Sequence, residues 1–248
     1  MQIVLLGDSI AAGLGVAGCS YADKIEEILN VVPPTTRVIS LAGTANQLSF
    51  SVTRLGEIIA LQPEYVIIAH GITEAIVRPT PRALRHVPAR WRQIGWLDPR
   101  PYFSRRLWKS IYHRTESALR WRVKVYLIKK YGGATLTSTE DFELLLTKAV
   151  TSLLAQTSAT VILLTHSGID DRFYPGSLVS LNSYRDSIVR VAANLAAERV
   201  QFCDVSELLN EWDDFFADHF HPNASGHRKI AEVLSDKVLL CKRKSSGT

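Results

Sequence analysis

The chain has few cysteines, no long apolar run and almost no acid in its middle. Cys19, Cys203 and Cys241 are odd in number, scattered and without metal-site spacing, which fits reduced thiols better than a disulfide framework. No uninterrupted apolar stretch approaches the roughly 20 residues that span a bilayer. Met1-Gln2-Ile3-Val4-Leu5-Leu6-Gly7 lacks a basic leader and is too short for the apolar core of a secretory signal. It reads as a first strand, which makes the cytoplasm the expected compartment. There is no internal repeat, and no pattern of a nucleic-acid-binding fold.

What is present is 248 residues, 46% hydrophobic and 21% charged. That is the composition of a globular protein with enough apolar material for one full core. The net charge of +5 is unevenly spread. Between Arg78 and Lys130 there are 15 Lys/Arg against only Asp98 and Glu116, a net of +13, while the remainder carries −8. Four of the five tryptophans, Trp91, Trp96, Trp108 and Trp121, fall in the same stretch.

Short apolar, β-branched runs at Gln2–Leu6, Arg37–Leu41, Tyr65–Ala69, Thr160–Thr165 and Val200–Phe202 predict five strands. Helical patterns cover Tyr21–Asn30, Asn46–Leu61, Thr139–Thr157, Asn182–Glu198 and Ala224–Leu240. The alternation predicts a parallel sheet with helices on both faces, with the site at the carboxyl ends of the strands. Gly7-Asp8-Ser9, Leu41-Ala42-Gly43-Thr44, His70-Gly71-Ile72-Thr73-Glu74 and Thr165-His166-Ser167-Gly168 all fall on that edge. The basic stretch leaves from the same edge. Residues 78–133 read as a cap or arm, helical from about Tyr102 to Tyr131, with Gly132-Gly133 as a hinge back to the body of a single 1–248 domain. The tail Lys242–Thr248 is polar and expected to fray.

Two short motifs carry the chemistry. Gly7-Asp8-Ser9 follows the first strand, and Asp218-His219-Phe220-His221-Pro222 precedes the last helix. Together they supply a hydroxyl, an imidazole and a carboxylate, the parts that make a serine nucleophilic at neutral pH. These residues resemble the SGNH/GDSL hydrolase superfamily. Its first block corresponds to Gly7-Asp8-Ser9-Ile10, its second to Gly43, its third to Gly71-Ile72-Thr73-Glu74 and its last to Asp218-His219-Phe220-His221, continued by Pro222-Asn223-Ala224-Ser225-Gly226-His227. The resemblance implies a flavodoxin-like three-layer α/β/α fold with a five-stranded parallel sheet, here bearing a basic helical insertion. It also implies that Ser9 is the nucleophile, His221 its base and Asp218 the group that holds the imidazole. No cofactor and no metal are implied.

The third block departs from the family's pattern. The usual asparagine is Thr73, with one hydroxyl donor. The family's oxyanion hole would comprise the Ser9 and Gly43 N–H groups and this side chain. Either Thr73 donates, or a neighbour such as Asn46 or His70 replaces the amide, or the hole is incomplete. Glu74 and His166 are further pocket candidates. Asp8 reads as a cap on nearby N–H groups, His227 as a packed, hydrogen-bonded histidine, and Asp170-Asp171 and Asp213-Asp214 as solvated loop charges.

In the basic segment, Arg78, Arg82, Arg105 and Arg106 are candidates for binding an anion, and tryptophan faces suit sugar rings or headgroup depth. The resulting expectation is a serine esterase or O-acyltransferase acting on a small-molecule or glycan ester, deacylating or O-acylating a surface saccharide or its precursor. An anionic glycan, a phosphorylated acyl donor or a membrane surface would meet the basic arm, leaving the enzyme cytoplasmic or peripheral to a membrane. The rival from another class is a non-catalytic scaffold of the same fold.

Overall fold

The computed structural model describes residues 1–31, 35–92, 107–195 and 198–246. Its central sheet has five parallel strands in the order β2-β1-β3-β6-β7, formed by β1 (Gln2–Gly7), β2 (Arg37–Ser40), β3 (Tyr65–Ala69), β6 (Thr160–Leu164) and β7 (Val200–Cys203). These are the five strands read from the sequence, within one or two residues. The register runs Ile3↔Tyr65 through Gly7↔Ala69 and Tyr65↔Thr160 through Ile68↔Leu163.

Strands covered on both faces need apolar residues at every position, and the two parities separate cleanly. Val4, Leu6, Val66, Ile68, Val161 and Leu163 face one layer, while Ile3, Leu5, Tyr65, Ile67, Ile162 and Leu164 face the other. The first layer holds α2 (Leu48–Thr53), α3 (Leu55–Ala60), α7 (Thr139–Gln156) and α8 (Ser177–Leu195); the second holds α1 (Tyr21–Leu29) and α9 (Ala224–Ser246). Gly7 ends β1 where no side chain fits, since a Cβ would lie 2.4 Å from Ala11 Cβ and 2.9 Å from the Ala69 carbonyl. The chain leaves β1 for β2 on one side and returns to β3 on the other, so β1 and β3 flank the topological switch point.

Three boundaries differ from the sequence reading. The helix expected over Asn46–Leu61 divides at Arg54, where the N–H bonds to Ser51 O and the Thr53 hydroxyl donates to Phe50 O. Such local bonds compete with the α-helical ladder. Helix α8 begins at Ser177, five residues early, and the Ser177 hydroxyl accepts from Val77 N–H. The polar tail expected to fray continues α9 as far as Ser246.

After β3 come a single turn, α4 (Ile72–Ala75), and the basic segment. Its root is a two-residue antiparallel pair in which β4 (Arg78–Pro79) meets β5 (Gly133–Ala134). Gly133, expected as part of a hinge, is thus a paired residue. A Cβ there would meet Val77 Cγ1 at 2.5 Å. Between them lie α5 (Pro81–Leu84), capped by Thr80, a 3-10 turn at Ala89–Trp91, and the 25-residue α6 (Leu107–Tyr131). The start of that helix expected near Tyr102 lies outside the described residues. The inner face of α6 buries Arg120, Lys124, Leu127 and Ile128, and Leu127 joins Ala83, Leu84 and Val87 in a small cluster. No described helix is long and apolar enough to cross a membrane.

Candidate active site

The two motifs singled out in the sequence meet at the carboxyl edge of the sheet. Ser9 Oγ lies 2.9 Å from His221 Nε2, and His221 Nδ1 lies 2.9 Å from Asp218 Oδ2. All three side chains are nearly enclosed by protein. Asp218 is fixed independently of the imidazole, because its Oδ1 accepts from the backbone N–H groups of Phe220 and His221, each at 2.9 Å. The loop is tied down by Phe216 N–H to His221 O and by the bridge between Phe215 and Pro222. His219 sits at φ 52°, a conformation that costs a non-glycine residue about 1 kcal/mol or more and that neighbouring structure must hold. With Asp218 accepting from Nδ1–H, Nε2 is left to accept the proton of a hydroxyl.

Two groups expected to line an oxyanion hole are bonded elsewhere. Thr73 Oγ1 donates to Asp8 Oδ2 at 2.8 Å, and Gly43 N–H is bonded to Gly7 O at 3.2 Å. Ser9 N–H has no backbone acceptor among the described residues. Asn46 lies against Gly43, where an added Cβ would fall 2.8 Å from Asn46 Nδ2. The turn that returns Asn46 to this place closes with Asn46 N–H to Gly43 O and holds Ala45 at φ 60°.

The remaining candidates divide. Asp8 is buried and caps Ile10 N–H through Oδ1, and burial raises its pKa despite the Thr73 bond. Glu74 is also buried; it accepts from Leu48 N–H at 2.5 Å and Gly71 N–H at 3.1 Å, and burial pushes its carboxyl up to about 7. It therefore staples the block-three turn to the start of α2. His70 Nε2 pairs with the Ser51 hydroxyl at 2.8 Å, and burial brings its pKa down to about 3. His166 lies on Gly71: a Cβ there would come within 2.4 Å of His166 Cε1, and Gly71 has φ 125°. Burial brings His166 down to about 4, so both rings are neutral.

Of the four arginines considered for anion binding, Arg78 is buried at the root of the arm and its Nη1 donates to Ile76 O. Burial lowers its pKa to about 10, against the pull of Glu74 and Asp8. Arg82 is exposed, and Arg105 and Arg106 lie outside the described residues. Asp214 corrects the reading of Asp213-Asp214 as solvated: it is buried, pairs with Lys229, and accepts from Asn210 N–H and Ser225 Oγ. His227 accepts from Tyr21 N–H and stacks on that ring. Among the described residues no group of three or more His, Cys, Asp or Glu side chains is placed to hold a metal.

Sequence reasoning missed the aromatic support. Phe173 stacks on His219 with centroids 4.1 Å apart, Trp212 meets the same ring edge-on at 5.0 Å, and Tyr174 OH donates to Asp218 O. Trp121 of α6 packs on Phe173 and donates its indole N–H to Phe173 O. The available signal was positional, since Phe173 and Tyr174 follow the fourth strand of the sheet on the same edge as the motifs.

Over residues 5–229 the sequence matches the GDSL-like lipase/acylhydrolase family. No match was found among curated proteins. Solved structures with the same fold include TesA, at 14% identity over 97% of this chain and 99% of that one, with a TM-score of 0.62. Axe2, an acetylxylan esterase from Geobacillus stearothermophilus, aligns at 18% identity over 94% and 91% with a TM-score of 0.60. The acetyl xylan esterase AlAXEase aligns at 15% over 96% and 100%, with 0.63. At such identities the likeness speaks to fold, and it is the sequence match over nearly the whole length that makes this chain a member of the GDSL-like lipase/acylhydrolase family, an enzyme of ester hydrolysis.

Proposed function

We propose that the protein is a serine esterase in which Ser9 is the nucleophile, His221 the general base and Asp218 the orienting carboxylate. The observation that carries this reading is the unbroken Ser9 Oγ–His221 Nε2–Asp218 chain, with 2.9 Å at each link. Ser9 Oγ attacks the ester carbonyl carbon while Nε2 takes the hydroxyl proton. The bond to the alcohol oxygen then breaks, and that oxygen receives the proton from His221. Asp218 stabilises the imidazolium without taking the proton itself. Water, or a sugar hydroxyl, attacks the acyl-enzyme with His221 again as base, which releases the acid or the transferred ester and restores Ser9.

Charge developing on the carbonyl oxygen needs fixed donors. Ser9 N–H and the Asn46 amide fill this role, because Thr73 is engaged by Asp8 and Gly43 N–H by Gly7. The substrate we favour is a short acyl ester on a saccharide. Acetylxylan esterases share the fold, and exposed Trp212 beside His219 supplies a ring face suited to a sugar.

The test is labelling by a fluorophosphonate, together with hydrolysis of acetylated sugars, long-chain acyl esters and thioesters, with and without sugar acceptors. Wild type should label and prefer the acetylated sugar. Ser9→Ala and His221→Ala should do neither. A folded wild type that does not label would instead be a binding protein that has kept the fold.

A further inference from the structure

Helix α6 has two faces, one buried and one exposed. At about 100° per residue, Arg120, Lys124, Leu127 and Ile128 share the inner face, where all four are buried. Trp108, Ile111, Tyr112, Thr115, Leu119, Arg122, Tyr126, Lys129 and Lys130 fall within about 60° of one line on the opposite side, and every one is exposed. The large apolar members range from 53% exposed for Leu119 to 85% for Trp108. This row is about 33 Å long and outside the Ser9–His221–Asp218 site. A monomer seldom leaves so continuous an apolar row in water without a use for it.

We propose that this face docks α6 flat on an anionic lipid bilayer. The composition of the row decides the occupant. Trp108, Tyr112 and Tyr126 have apolar bodies with polar tips and suit headgroup depth, while Ile111 and Leu119 supply aliphatic burial. The charges among them, Arg122, Lys129 and Lys130, are all positive, and Lys130 Nζ sits 5.5 Å and 5.3 Å from the Tyr126 and Tyr131 ring centroids. The chain outside Arg78–Lys130 carries −8, so an anionic surface attracts the positive row and repels the body. A protein groove would favour a row with less charge, and a nucleic acid one with fewer aliphatic residues. Trp121, on the inner side, touches Phe173, which stacks on His219. The docked surface therefore lies about one helix diameter from the aromatic wall of the site.

The experiment is co-flotation of the full chain with vesicles of phosphatidylcholine containing phosphatidylglycerol, against phosphatidylcholine alone, at low and high salt. Wild type should float only with the anionic vesicles, and less as salt rises. At about fivefold per charge, Arg122→Gln/Lys129→Gln/Lys130→Gln should weaken binding about 100-fold. Trp108→Ala/Leu119→Ser should weaken it with little change in salt dependence. All five positions are exposed, so folding and hydrolysis of a soluble ester should be unchanged, and Ser9→Ala should float as wild type does. The proposal is overturned if folded wild type ignores anionic vesicles or binds both kinds equally. It also fails if both variants bind as wild type, or if the protein is retained by an acidic polysaccharide or by DNA but not by vesicles.

Discussion

The assignment of the oxyanion donors can be separated by two substitutions. Asn46→Ala removes the amide beside Gly43 while leaving the turn, whose closing bond is between backbone atoms, Asn46 N and Gly43 O. If this amide faces the developing oxyanion, kcat should fall about 10²–10³-fold, with KM little changed. Thr73→Val keeps the volume and removes the hydroxyl that donates to Asp8 Oδ2. Asp8 is fully buried and its pKa is already raised by desolvation, so losing a donor should cost about 1–3 kcal/mol of stability near neutral pH. The catalytic loss in Thr73→Val should be far smaller than in Asn46→Ala. The assay is kcat and KM for a soluble acetate ester alongside urea unfolding of each variant. The reasoning fails if Asn46→Ala keeps kcat within about threefold of wild type, or if Thr73→Val loses kcat as Asn46→Ala should while its stability is unchanged.

Three further outcomes follow from buried groups. Burial raises the Glu74 carboxyl to about 7 from 4.5, so its protonated form suits the fold: the contribution is complete below about pH 4.5 and is lost as pH rises through 7, a change of about 3 kcal/mol. In urea titrations at several pH values, Glu74→Gln should lack this component relative to wild type. It should also be weaker at low pH, where one amide must replace two acceptor oxygens. Asp218→Asn places an NH2 group towards His221 Nδ1 or towards the two N–H groups held by Oδ1; kcat should fall about 10³–10⁴-fold, with fluorophosphonate labelling slowed in parallel. Gly71→Ala puts a methyl group 2.4 Å from His166 Cε1 at φ 125°, and a loss of at least about 2 kcal/mol of unfolding free energy, seen as a lowered urea midpoint, is expected.

The sheet was legible because its strands are buried on both faces and so stand out as unbroken runs such as Ile3–Leu6 and Tyr65–Ala69. The edge rule then brought Ser9, Gly43, Thr73 and His166 to one end without any knowledge of contacts. What a linear reading cannot weigh is competition between neighbours for the same donor. Thr73 has one hydroxyl, and whether it faces the substrate or Asp8 depends on a residue 65 positions away. Asp213-Asp214 reads as a pair of loop charges, and the partner of the buried Asp214, Lys229, lies a loop and a helical turn further on. The aromatic contacts to His219 were hidden for the same reason: Phe173 and Trp212, and Trp121 behind Phe173, come from three separate segments.

The paired root of the arm makes it exchangeable. Residues 80–132 leave and re-enter the body through the bonded pairs Pro79–Gly133 and Arg78–Ala134, whose antiparallel backbones lie about 5 Å apart. A gap of that size is closed by a two-residue hairpin turn. A trimmed or swapped arm would leave the register of the five-stranded sheet untouched but uncover the core surface that Trp121, Val125 and Ile128 now cover. In engineering terms the body is a socket and the basic arm a cartridge, and the inner face of α6, with Trp121 on Phe173 and Ile128 in the core, is the fit that a replacement must reproduce.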